Sequence, residues 1–395
     1  MISVAEARAL ILANAAPCSA VNVSLRSALA RALREDVMAS RDQPPFRASA
    51  MDGYALRAID TPGPLRMIGE AGAGRALGRP LGAGECARIF TGAPLPAGAD
   101  SILIQEDAAR DGEIVTAPLV EKGRHVRSAG VDFKSGDRLL QAGALIDAAA
   151  IALAAAAGRT SLLVSRRPKV AVLSGGDELV SPGQSPAPDQ IFDSMSVGIA
   201  ALAEQWGGDA TGVGPLADRA PDIANAISEA IASYDLTIIV GGASVGDHDH
   251  ARPAVRDLGG VFLFEKVALR PGKPTWFARI GGRMVLGLPG NPASAFVCAR
   301  LFLRPLIDQM CGRDPMMSAA LRKARTRAPL SANGSRETYL RAAPATDENG
   351  QAWVAAPAKQ DSSLLSVFAG AQALIVRAPD APEAPVGALV DVLYP

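Results

Sequence analysis

The sequence predicts a multidomain fold of the α/β plus β class, in which a parallel-sheet α/β domain is combined with β-rich parts and a helical N-terminal region. Its length of 395 residues and hydrophobic content of 49% supply enough apolar material for several cores. Apolar runs alternate with helical patterns over residues 168–312, as in βαβ units. Short alternating runs separated by Gly and Pro fill residues 44–134 and the segment after Arg313.

Helical spacing dominates residues 1–45, in VAEARALILANA and SLRSALARALRED, and returns at Asp147–Ala157. The Gly- and Pro-rich segment between them therefore looks like a small inserted β-domain. The C-terminal strands, such as ETYLRAA and ALIVRAP, indicate a small barrel or sandwich. In the α/β segment the predicted strands are KVAVLS, DATGVGPL, LTIIVGG, GVFLF and MVLGLPG, and the predicted helices are Ser194–Trp206, Ala220–Ser233, Asp249–Leu258 and Ala293–Met310.

Charge and composition exclude several classes of function. Lys plus Arg and Asp plus Glu number 40 each, so nothing indicates a nucleic-acid groove or a polybasic membrane anchor. The apolar run at 148–158 is too short to span a bilayer, and the N-terminal apolar residues have helical spacing and not the pattern of a signal peptide. Four scattered cysteines and three histidines match no zinc or disulfide spacing. These features predict a cytoplasmic enzyme with no nucleic-acid or membrane partner.

Unusual loops follow four strands of the α/β segment, namely GGDELVSPG, ADRAPD, GGASVGDHDH and PGNPASA. Ligands of open α/β sheets bind outside the carboxyl ends of the strands. Glycine lets backbone N–H groups approach an anion closely, so these loops are candidates for binding a phosphate. The alternative is that each glycine-rich turn only joins a strand to a helix. The predicted binding residues of these loops are Gly175, Gly176, Gly241, Gly242, Ser244, Gly246, Pro289, Gly290 and Pro292.

Acidic residues are concentrated in the same loops, at Asp177, Glu178, Asp218, Asp247 and Asp249. Clustered carboxylates repel each other and need a cation, and Mg²⁺ is commonly held by one or two carboxylates together with substrate phosphate. We therefore predict a metal site formed by Asp177, Glu178, Asp218 and Asp249, with Asp218 also in contact with the bound cofactor. The alternative is helix capping, for which Asp218 and Asp249 are well placed and Glu178 is not.

The stretch EKVALRPGKP places Lys266, Arg270 and Lys273 in one loop. Spaced cations opposite a glycine loop suit a diphosphate or another oxyanion. The alternative is a solvated charged loop, although Pro271 and Gly272 fix a defined turn and favour a positioned role.

Two polar residues of the inserted domain have two interpretations each. Asp52 in SAMDGYAL either is catalytic or forms an Asx-turn onto Tyr54, and the residue pattern alone favours the turn. Thr91 follows a strand in IFTGAPLPAGAD and has the same ambiguity.

Six segments occur in an order that resembles the molybdopterin molybdotransferase family, which includes MoeA and the E domain of gephyrin. They extend over almost the whole chain and are SAMDGYAL, IFTGAPLPAGAD, LSGGDEL, GGASVGDHDH, LRPGKP and LPGNPASA. The last four also resemble a module of related adenylyltransferases and competence-damage proteins, whereas the first two resemble MoeA in particular.

The resemblance implies a discontinuous helical stalk at 1–45 and 133–167, an inserted β-rich domain at 46–132, a molybdopterin-binding α/β domain at 168–313 and a C-terminal β-barrel at 314–395. It implies an elongated homodimer whose cleft lies between the α/β domain of one subunit and the inserted domain of the other. The implied reaction joins molybdate to adenylylated molybdopterin with Mg²⁺, and releases AMP and molybdenum cofactor. An adenylyltransferase and acceptor molybdoenzymes are the implied partners.

Matching motifs imply roles for individual residues. Arg270 stands where the family usually has lysine, which keeps the charge but replaces a point ammonium by a planar fork. Asp361 in KQDSSLLS replaces the glycine of a Gln-Gly-Ser motif. The cations and loop amides would offset repulsion between two anionic substrates, while the acids hold Mg²⁺. The implied catalytic residues are Asp52, Thr91, Glu178, Asp249, Lys266 and Arg270, and Asp218 and Lys273 complete the cofactor-binding set.

Two other functions are compatible with parts of the sequence. A molybdopterin adenylyltransferase would carry the α/β module alone, and the additional β-domains argue against it. A non-catalytic dimeric pterin-binding scaffold would be expected to carry a long linker for a partner network, and the chain has none. Molybdate and tungstate share shape and charge, so both remain open as the oxyanion.

Overall fold

The computed structural model describes residues 1–241 and 250–394. The chain divides into two compact units. The first comprises Met1–Asn22, Ala30–Arg34 and Leu163–Pro395, and the second comprises Val23–Leu29 and Glu35–Leu162. The boundary between the units falls within the strands Ala20–Ser24 and Ser161–Ser165.

A six-stranded sheet forms the centre of the α/β region in the first unit. Its strands are β1 (Lys169–Gly175), β2 (Asp209–Leu216), β3 (Leu236–Val240), β4 (Val261–Phe264), β5 (Trp276–Ile280) and β6 (Arg283–Leu288). Their spatial order is β2-β1-β3-β6-β5-β4. Strands β1, β2, β3 and β6 pair in parallel, so their carboxyl ends meet at one edge. The predicted parallel-sheet α/β domain is confirmed.

Strand β5 is absent from the sequence prediction, and it is the one strand of this sheet that runs against the others. Ile280 pairs with Arg283 across a two-residue Gly281-Gly282 turn, a pair that favours tight hairpins. Because β4 is antiparallel to β5, it points in the same direction as β1, β3 and β6. The connection from β4 to β5, residues 265–275, therefore also lies at the carboxyl edge.

Helices pack on both faces of the sheet, since alternate strand residues enter two cores. Val170 and Val172 of β1 belong to one core, whereas Ala171 and Leu173 belong to the other. The predicted helix at 293–310 is interrupted by a π-helical turn at Ala299–Leu303. The helices are α1 (Met195–Gln205), α2 (Ala220–Ser233), α3 (Ala251–Asp257), α4 (Pro292–Cys298) and α5 (Arg304–Met310).

The C-terminal strands close into a five-stranded barrel, which confirms the predicted β-barrel. Strand Glu337–Thr346 pairs with both Ala352–Ala355 and Ala373–Arg377, and these pairings complete the ring. The other two barrel strands are Leu321–Thr326 and Leu389–Leu393. Short elements elsewhere in the first unit are the helices Val4–Ala13 and Leu365–Ala369, the 3₁₀ turn Met317–Ala319, and the strands Leu179–Val180, Ile191–Phe192 and Leu269–Arg270.

The second unit is built around a mixed six-stranded sheet. In spatial order its strands are Ser101–Ile104, Gly53–Leu56, Glu85–Ile89, Gly63–Ala71, Ile114–Ala117 and Ala109–Asp111. Two small ladders pair Ala48–Ser49 with Val126–Arg127 and Val37–Met38 with Arg138–Leu140. The remaining elements are the helix Ala148–Ala156 and the 3₁₀ turns Arg26–Ala28, Ala58–Asp60 and Gln105–Asp107. The four-domain boundaries stay a prediction.

One predicted helix is wrong. The segment SLRSALARALRED forms only the 3₁₀ turn Arg26–Ala28. The backbone N–H of Arg34 donates to the carbonyl of Leu163, and Ser165 N–H donates to the carbonyl of Ala32. These pairings take the groups that a helix would use, so tertiary contacts override the local helical preference. In residues 1–241 and 250–394, no helix has the length and hydropathy required to cross a membrane.

Candidate functional site

Three loops at the carboxyl edge of the sheet approach each other backbone to backbone. Gly241 follows β3 with φ +90°, and a Cβ added there would lie 3.0 Å from the carbonyl oxygen of Gly175. A Cβ on Gly290, after β6, would lie 3.4 Å from the Cα of Gly241. Strands β1, β3 and β6 are neighbours, so these glycines let adjacent loops pack closely at the centre of the edge.

These loops surround a cavity of about 750 Å³, which we call the acidic cleft. Its titratable lining residues are Glu178, Asp193 and Asp218, and no Lys or Arg of the described residues lines it. The cleft brings together eight of the predicted site residues, namely Gly175, Gly176, Glu178, Asp218, Gly241, Pro289, Gly290 and Pro292.

The acids of the first two loops are close to one another. Oδ1 of Asp177 accepts a hydrogen bond of 2.9 Å from the backbone N–H of Asp218. The Glu178 carboxylate lies over Gly176, where an added Cβ would be 2.4 Å from Oε2. Asp218 does not cap a helix. The N-cap residue of α2 is Arg219, and no side chain makes a capping hydrogen bond at the start of this helix. Capping therefore does not explain Asp218.

Asp193 is an acidic-cleft residue that the sequence analysis missed. It is 1% exposed, and its Oδ1 accepts hydrogen bonds of 3.1 Å from the backbone N–H groups of Met195 and Ser196. Its Oδ2 accepts a 2.6 Å bond from the Ser196 hydroxyl. This carboxylate fixes the start of α1 beside the cleft. The available signal was Asp-Ser-Met-Ser, an Asp followed three residues later by Ser at a predicted helix start.

A second cavity, of about 770 Å³, lies between the 269–274 loop and the barrel, and we call it the basic cleft. Its basic lining residues are Arg270, Lys273, Arg336, Arg341 and Arg377, and its one acidic lining residue among those described is Asp361. The two clefts adjoin, since Pro274, Pro289 and Asn291 line both.

Strand pairing positions the cationic loop against the barrel. Leu269 and Arg270 pair in parallel with Glu337 and Thr338 of the barrel. The loop closes where Val267 N–H donates to the Lys273 carbonyl over 3.0 Å. These bonds fix the backbone of the loop. The side chains of Arg270 and Lys273 are exposed on it.

Lys266 begins this loop and is exposed, and in the described part of the chain it lines neither cleft. Its backbone carbonyl accepts a hydrogen bond of 3.3 Å from Ile2 N–H. Its predicted role stays a prediction without support from cleft geometry.

Arg341 is a buried cation that organises the far wall of the basic cleft. It is 2% exposed, and burial lowers the pKa of its guanidinium. Its Nη1 and Nη2 donate to the carbonyls of Leu364 and Asp361 over 2.9 and 2.8 Å, and its Nε donates to Gln360 Oε1 over 3.3 Å. The loop 360–364 is thus fixed around one buried charge.

The side chain of Asp361 is exposed at this wall and bonded to its own loop. Its Oδ1 accepts hydrogen bonds from Ser363 N–H at 2.9 Å and from the Ser363 hydroxyl at 2.6 Å. These bonds lower the pKa of the Asp361 carboxyl, with the hydroxyl bond contributing most. The residue that replaces the motif glycine therefore adds a stable negative charge to a basic cleft.

Asp52 and Thr91 form a corner in the second unit. Oδ1 of Asp52 accepts hydrogen bonds of 2.7 Å from Thr91 N–H and 2.8 Å from the Thr91 hydroxyl. These bonds, backbone first, and the more distant positive charge of Arg88 hold the pKa of Asp52 below its ordinary value. In the described structure the Asp52 side chain therefore bonds to Thr91, and the Asx-turn onto Tyr54 that the residue pattern favoured does not form.

Part of the predicted site lies outside the described residues. Gly242, Ser244, Gly246 and Asp249 belong to this part. In the described ranges, no three His, Cys, Asp or Glu side chains form a group suited to a metal ion. Glu178 and Asp218 both line the acidic cleft, and one or two carboxylates are the protein ligands with which Mg²⁺ is often held beside water and phosphate oxygens.

The cysteines have no metal-binding character. Cys18, Cys86, Cys298 and Cys311 are free and buried. Burial raises the pKa of Cys298 to about 12 and that of Cys18 and Cys86 to about 11, and it also raises the pKa of Cys311. These side chains therefore remain neutral thiols at neutral pH. The thiolate is the form that binds metals, so none of the four is a candidate metal ligand in this state.

Fold and site together define a multidomain α/β protein with two adjoining clefts of opposite charge at the carboxyl edge of its sheet. Residues 2–158 match the MoeA N-terminal region (domain I and II), and residues 323–394 match the MoeA C-terminal region (domain IV). Residues 171–309 match a probable molybdopterin binding domain. The chain belongs to the MoeA family, which confirms the resemblance found in its motifs.

Individual relatives agree with this assignment. The chain is 37% identical over 331 residues to a molybdopterin molybdenumtransferase of Nostoc sp., covering 80% of this chain and 76% of the relative. It is 32% identical over 381 residues to one of Haemophilus influenzae, covering 95% and 94%. The crystal structure of a molybdopterin biosynthesis MoeA protein from Pyrococcus horikoshii superimposes with a TM-score of 0.86 at 28% identity, covering 100% of this chain and 99% of that one.

Proposed function

We propose that this enzyme is a molybdopterin molybdenumtransferase, which inserts molybdate into adenylylated molybdopterin and releases AMP and molybdenum cofactor. The observation that carries the proposal is the pair of adjoining clefts of opposite charge, with Pro274, Pro289 and Asn291 in common. The predicted activity and enzyme class agree with the name that the Nostoc and Haemophilus relatives carry.

The acidic cleft is the proposed site of adenylylated molybdopterin. Glu178 and Asp218 line this cleft and would repel the phosphates of the substrate, unless a divalent cation lay between the carboxylates and the phosphates. These two side chains would hold Mg²⁺, with Asp177 beside them through its bond to the Asp218 backbone. The chemistry that a Mg²⁺ ion held there would supply is Lewis-acid polarisation of the phosphoanhydride and stabilisation of the charge on the departing AMP. Gly241 and Gly290 line the cleft and let its loops approach each other closely.

The basic cleft is the proposed site of molybdate. Arg270 and Lys273 are exposed on a backbone that the barrel fixes, so they offer preorganised positive charge to a dianion. Arg341 contributes charge while its N–H groups hold the wall of the cleft. The shared residues would bring the oxyanion close to the pterin that receives it.

We further propose that the enzyme acts as a homodimer in the cytoplasm, and that Asp52 and Thr91 of one subunit complete the cleft of the other. The ordered carboxylate of Asp52, held by Thr91 with a lowered pKa, supports a positioned role for this corner. Mixing Asp52→Asn and Glu178→Gln proteins tests the shared site. Each alone should be inactive, and refolding or coexpressing them together should restore part of the activity, because one site of each mixed dimer is then intact.

Reconstitution tests the reaction itself. Purified protein is incubated with adenylylated molybdopterin, molybdate and Mg²⁺, and AMP release is measured together with activation of an acceptor apo-molybdoenzyme. We expect AMP to appear only when all three are present, and an equal experiment with tungstate defines the oxyanion preference. Accumulation of adenylylated pterin from ATP and molybdopterin, without molybdate, would instead identify an adenylyltransferase. Pterin binding without turnover would identify a scaffold.

A further inference from the structure

We propose that Arg88 is a positioning residue, which fixes the Asp52–Thr91 corner and supplies the positive charge that faces it. This inference rests on the proposed function only for its kinetic consequence. Its structural basis is a guanidinium held by three separate elements of the second unit.

Two aromatic rings hold the guanidinium of Arg88. Arg88 lies on strand Glu85–Ile89 directly opposite Tyr54, and Phe90 follows two residues later on the same face. The guanidinium carbon is 5.2 Å from the centroid of the Tyr54 ring and 5.0 Å from that of Phe90. Cation–π contacts of this kind restrict a long side chain that is otherwise mobile.

The same guanidinium also donates hydrogen bonds to the strand and the turn around Asp52. Nη1 of Arg88 donates to the carbonyl of Gly53 over 3.3 Å, and Nη2 donates to Gln105 Oε1 over 2.6 Å. Gly53 follows Asp52 directly, and Gln105 N–H donates to the Asp52 carbonyl over 3.1 Å. Arg88 therefore bonds to Gly53, the residue after Asp52, and to the side chain of Gln105, the residue whose backbone bonds to Asp52.

The other half of the corner depends on the same residue. Thr91 follows Phe90, whose ring stacks on Arg88, and Thr91 supplies both hydrogen bonds to the Asp52 side chain. Replacing Arg88 would thus release both partners of a bond that requires alignment within a few tenths of an ångström.

Arg88 also keeps its charge available. Both of its hydrogen bonds go to neutral oxygens, and it forms no ion pair with any residue that the structure describes. The Gln105–Asp107 turn carries two carboxylates, namely Glu106, whose Oε1 accepts a 3.3 Å bond from Gln105, and Asp107, which pairs with Arg124 at 3.6 Å. Of the described charged groups, Arg88 is the one whose charge helps to lower the pKa of Asp52, after the hydrogen bonds from Thr91.

The test compares Arg88→Met and Arg88→Lys with Arg110→Met, a control at an exposed arginine on another strand of the same sheet. We expect Arg88→Met to lower kcat for AMP release at least about tenfold, with KM for adenylylated molybdopterin changed less than about twofold, because misplacement of a reacting group costs up to about 100-fold. Arg88→Lys should keep the positive charge but lose the planar guanidinium that makes two hydrogen bonds. Its kcat should therefore lie between those of Arg88→Met and the wild-type protein.

A second measurement does not depend on turnover. The carboxyl carbon of Asp52, labelled with ¹³C and assigned by its loss in Asp52→Asn, is titrated in the full-length protein. Removing the cation in Arg88→Met should raise the pKa of Asp52, whereas Arg88→Lys and Arg110→Met should change it little. The inference is wrong if folded Arg88→Met protein has the kcat and the Asp52 titration of the Arg110→Met control. If the wild-type protein releases no AMP, the proposed function fails while the titration still decides the role of Arg88.

Discussion

The acidic and basic clefts are neighbours of nearly equal size that differ in charge and in construction. Their volumes are about 750 and about 770 Å³. The acidic cleft is built from the ends of adjacent strands, with Glu178 and Asp218 on successive loops. The basic cleft is assembled from distant segments, with Arg270 in the α/β region and Arg341 in the barrel. The two clefts would therefore receive the proposed anions by different physical means.

A phosphate that enters the acidic cleft needs a cation from solution, because the described side chains there repel it. An oxyanion that enters the basic cleft meets fixed positive side chains and needs none. Binding in the first cleft should therefore depend on Mg²⁺, and binding in the second should depend on ionic strength, which screens exposed charges. A substitution that changes ligand binding in one cleft therefore leaves the other cleft as a reference.

The largest effect should come from Glu178→Gln in the acidic cleft. The substitution removes a negative charge without changing side-chain size, so the cation that offsets the substrate phosphates is held less tightly. We expect the rate of AMP release to fall by about 10²–10³-fold. Molybdate affinity, measured by calorimetry, should stay within about twofold of the wild-type value because the basic cleft is unchanged.

Glu229→Gln is the matched control for this substitution, since Glu229 is exposed on α2 and lines neither cleft among the described residues. It should retain the wild-type rate. Full activity of Glu178→Gln at limiting Mg²⁺ would remove this acid from the mechanism, and an equal loss of molybdate affinity would show that the two clefts are not independent.

The second effect should come from Lys273→Met in the basic cleft. Loss of one charged donor costs about 1.5–3 kcal/mol, or roughly 10–100-fold in molybdate affinity. The effect should appear in KM for molybdate and largely disappear from kcat at saturating molybdate. Steady-state AMP release over a range of molybdate concentrations measures both.

Lys323→Met provides the comparison, because Lys323 pairs with Asp391 on the barrel surface at 2.8 Å and surface pairs contribute little. If Lys273→Met lowered kcat and left KM unchanged, molybdate would not be bound by this side chain before the reaction.

The acidic cleft was largely predictable from the sequence, whereas of the basic cleft only the loop with Arg270 and Lys273 was. Strand β3 is buried at all five positions and leads directly into Gly241, so its carboxyl end could be identified from one short run. The parallel order then places Glu178 and Asp218 at the same edge. Arg341 and Arg377 are separated from Arg270 by many residues, and only the packing of barrel against loop brings them together.

The errors in the fold have a related cause. SLRSALARALRED has helical spacing, but Arg31 donates 2.7 and 3.1 Å bonds to the Ser165 carbonyl, and backbone pairing with 163–165 replaces the helix. Such pairing depends on a segment more than one hundred positions away, which local periodicity does not contain. Strand β5, in contrast, carried a local signal, because its apolar run ends in the Gly281-Gly282 turn.

The third effect concerns how the acidic cleft is built. Gly241→Ala should destabilise the protein by about 1–2 kcal/mol, because alanine is disfavoured at φ +90° and its Cβ would lie 3.0 Å from the Gly175 carbonyl. Gly259→Ala separates the effect of the positive φ from the effect of the close contact. Gly259 has φ +78°, but no heavy atom lies within 4 Å of an added Cβ. Urea unfolding should show the larger loss for Gly241→Ala. Equal losses would mean that the close approach of the loops contributes nothing.

The smallest effect should come from Asp361→Asn, which removes the one acidic side chain among the described lining of the basic cleft. Molybdate affinity should rise about twofold to fivefold, since an exposed charge interacts weakly through solvent. The hydrogen bonds from Ser363 lower the pKa of Asp361, so the wild-type carboxylate stays ionised as pH falls through the ordinary carboxyl range and the difference should persist across neutral pH. Added salt should reduce this difference in molybdate affinity.

Glu383→Gln is the control, at an exposed position of the barrel outside the cleft lining, and it should leave molybdate affinity unchanged. Weaker binding by Asp361→Asn would show that this carboxylate orders the cleft through Ser363 and does not merely repel the oxyanion.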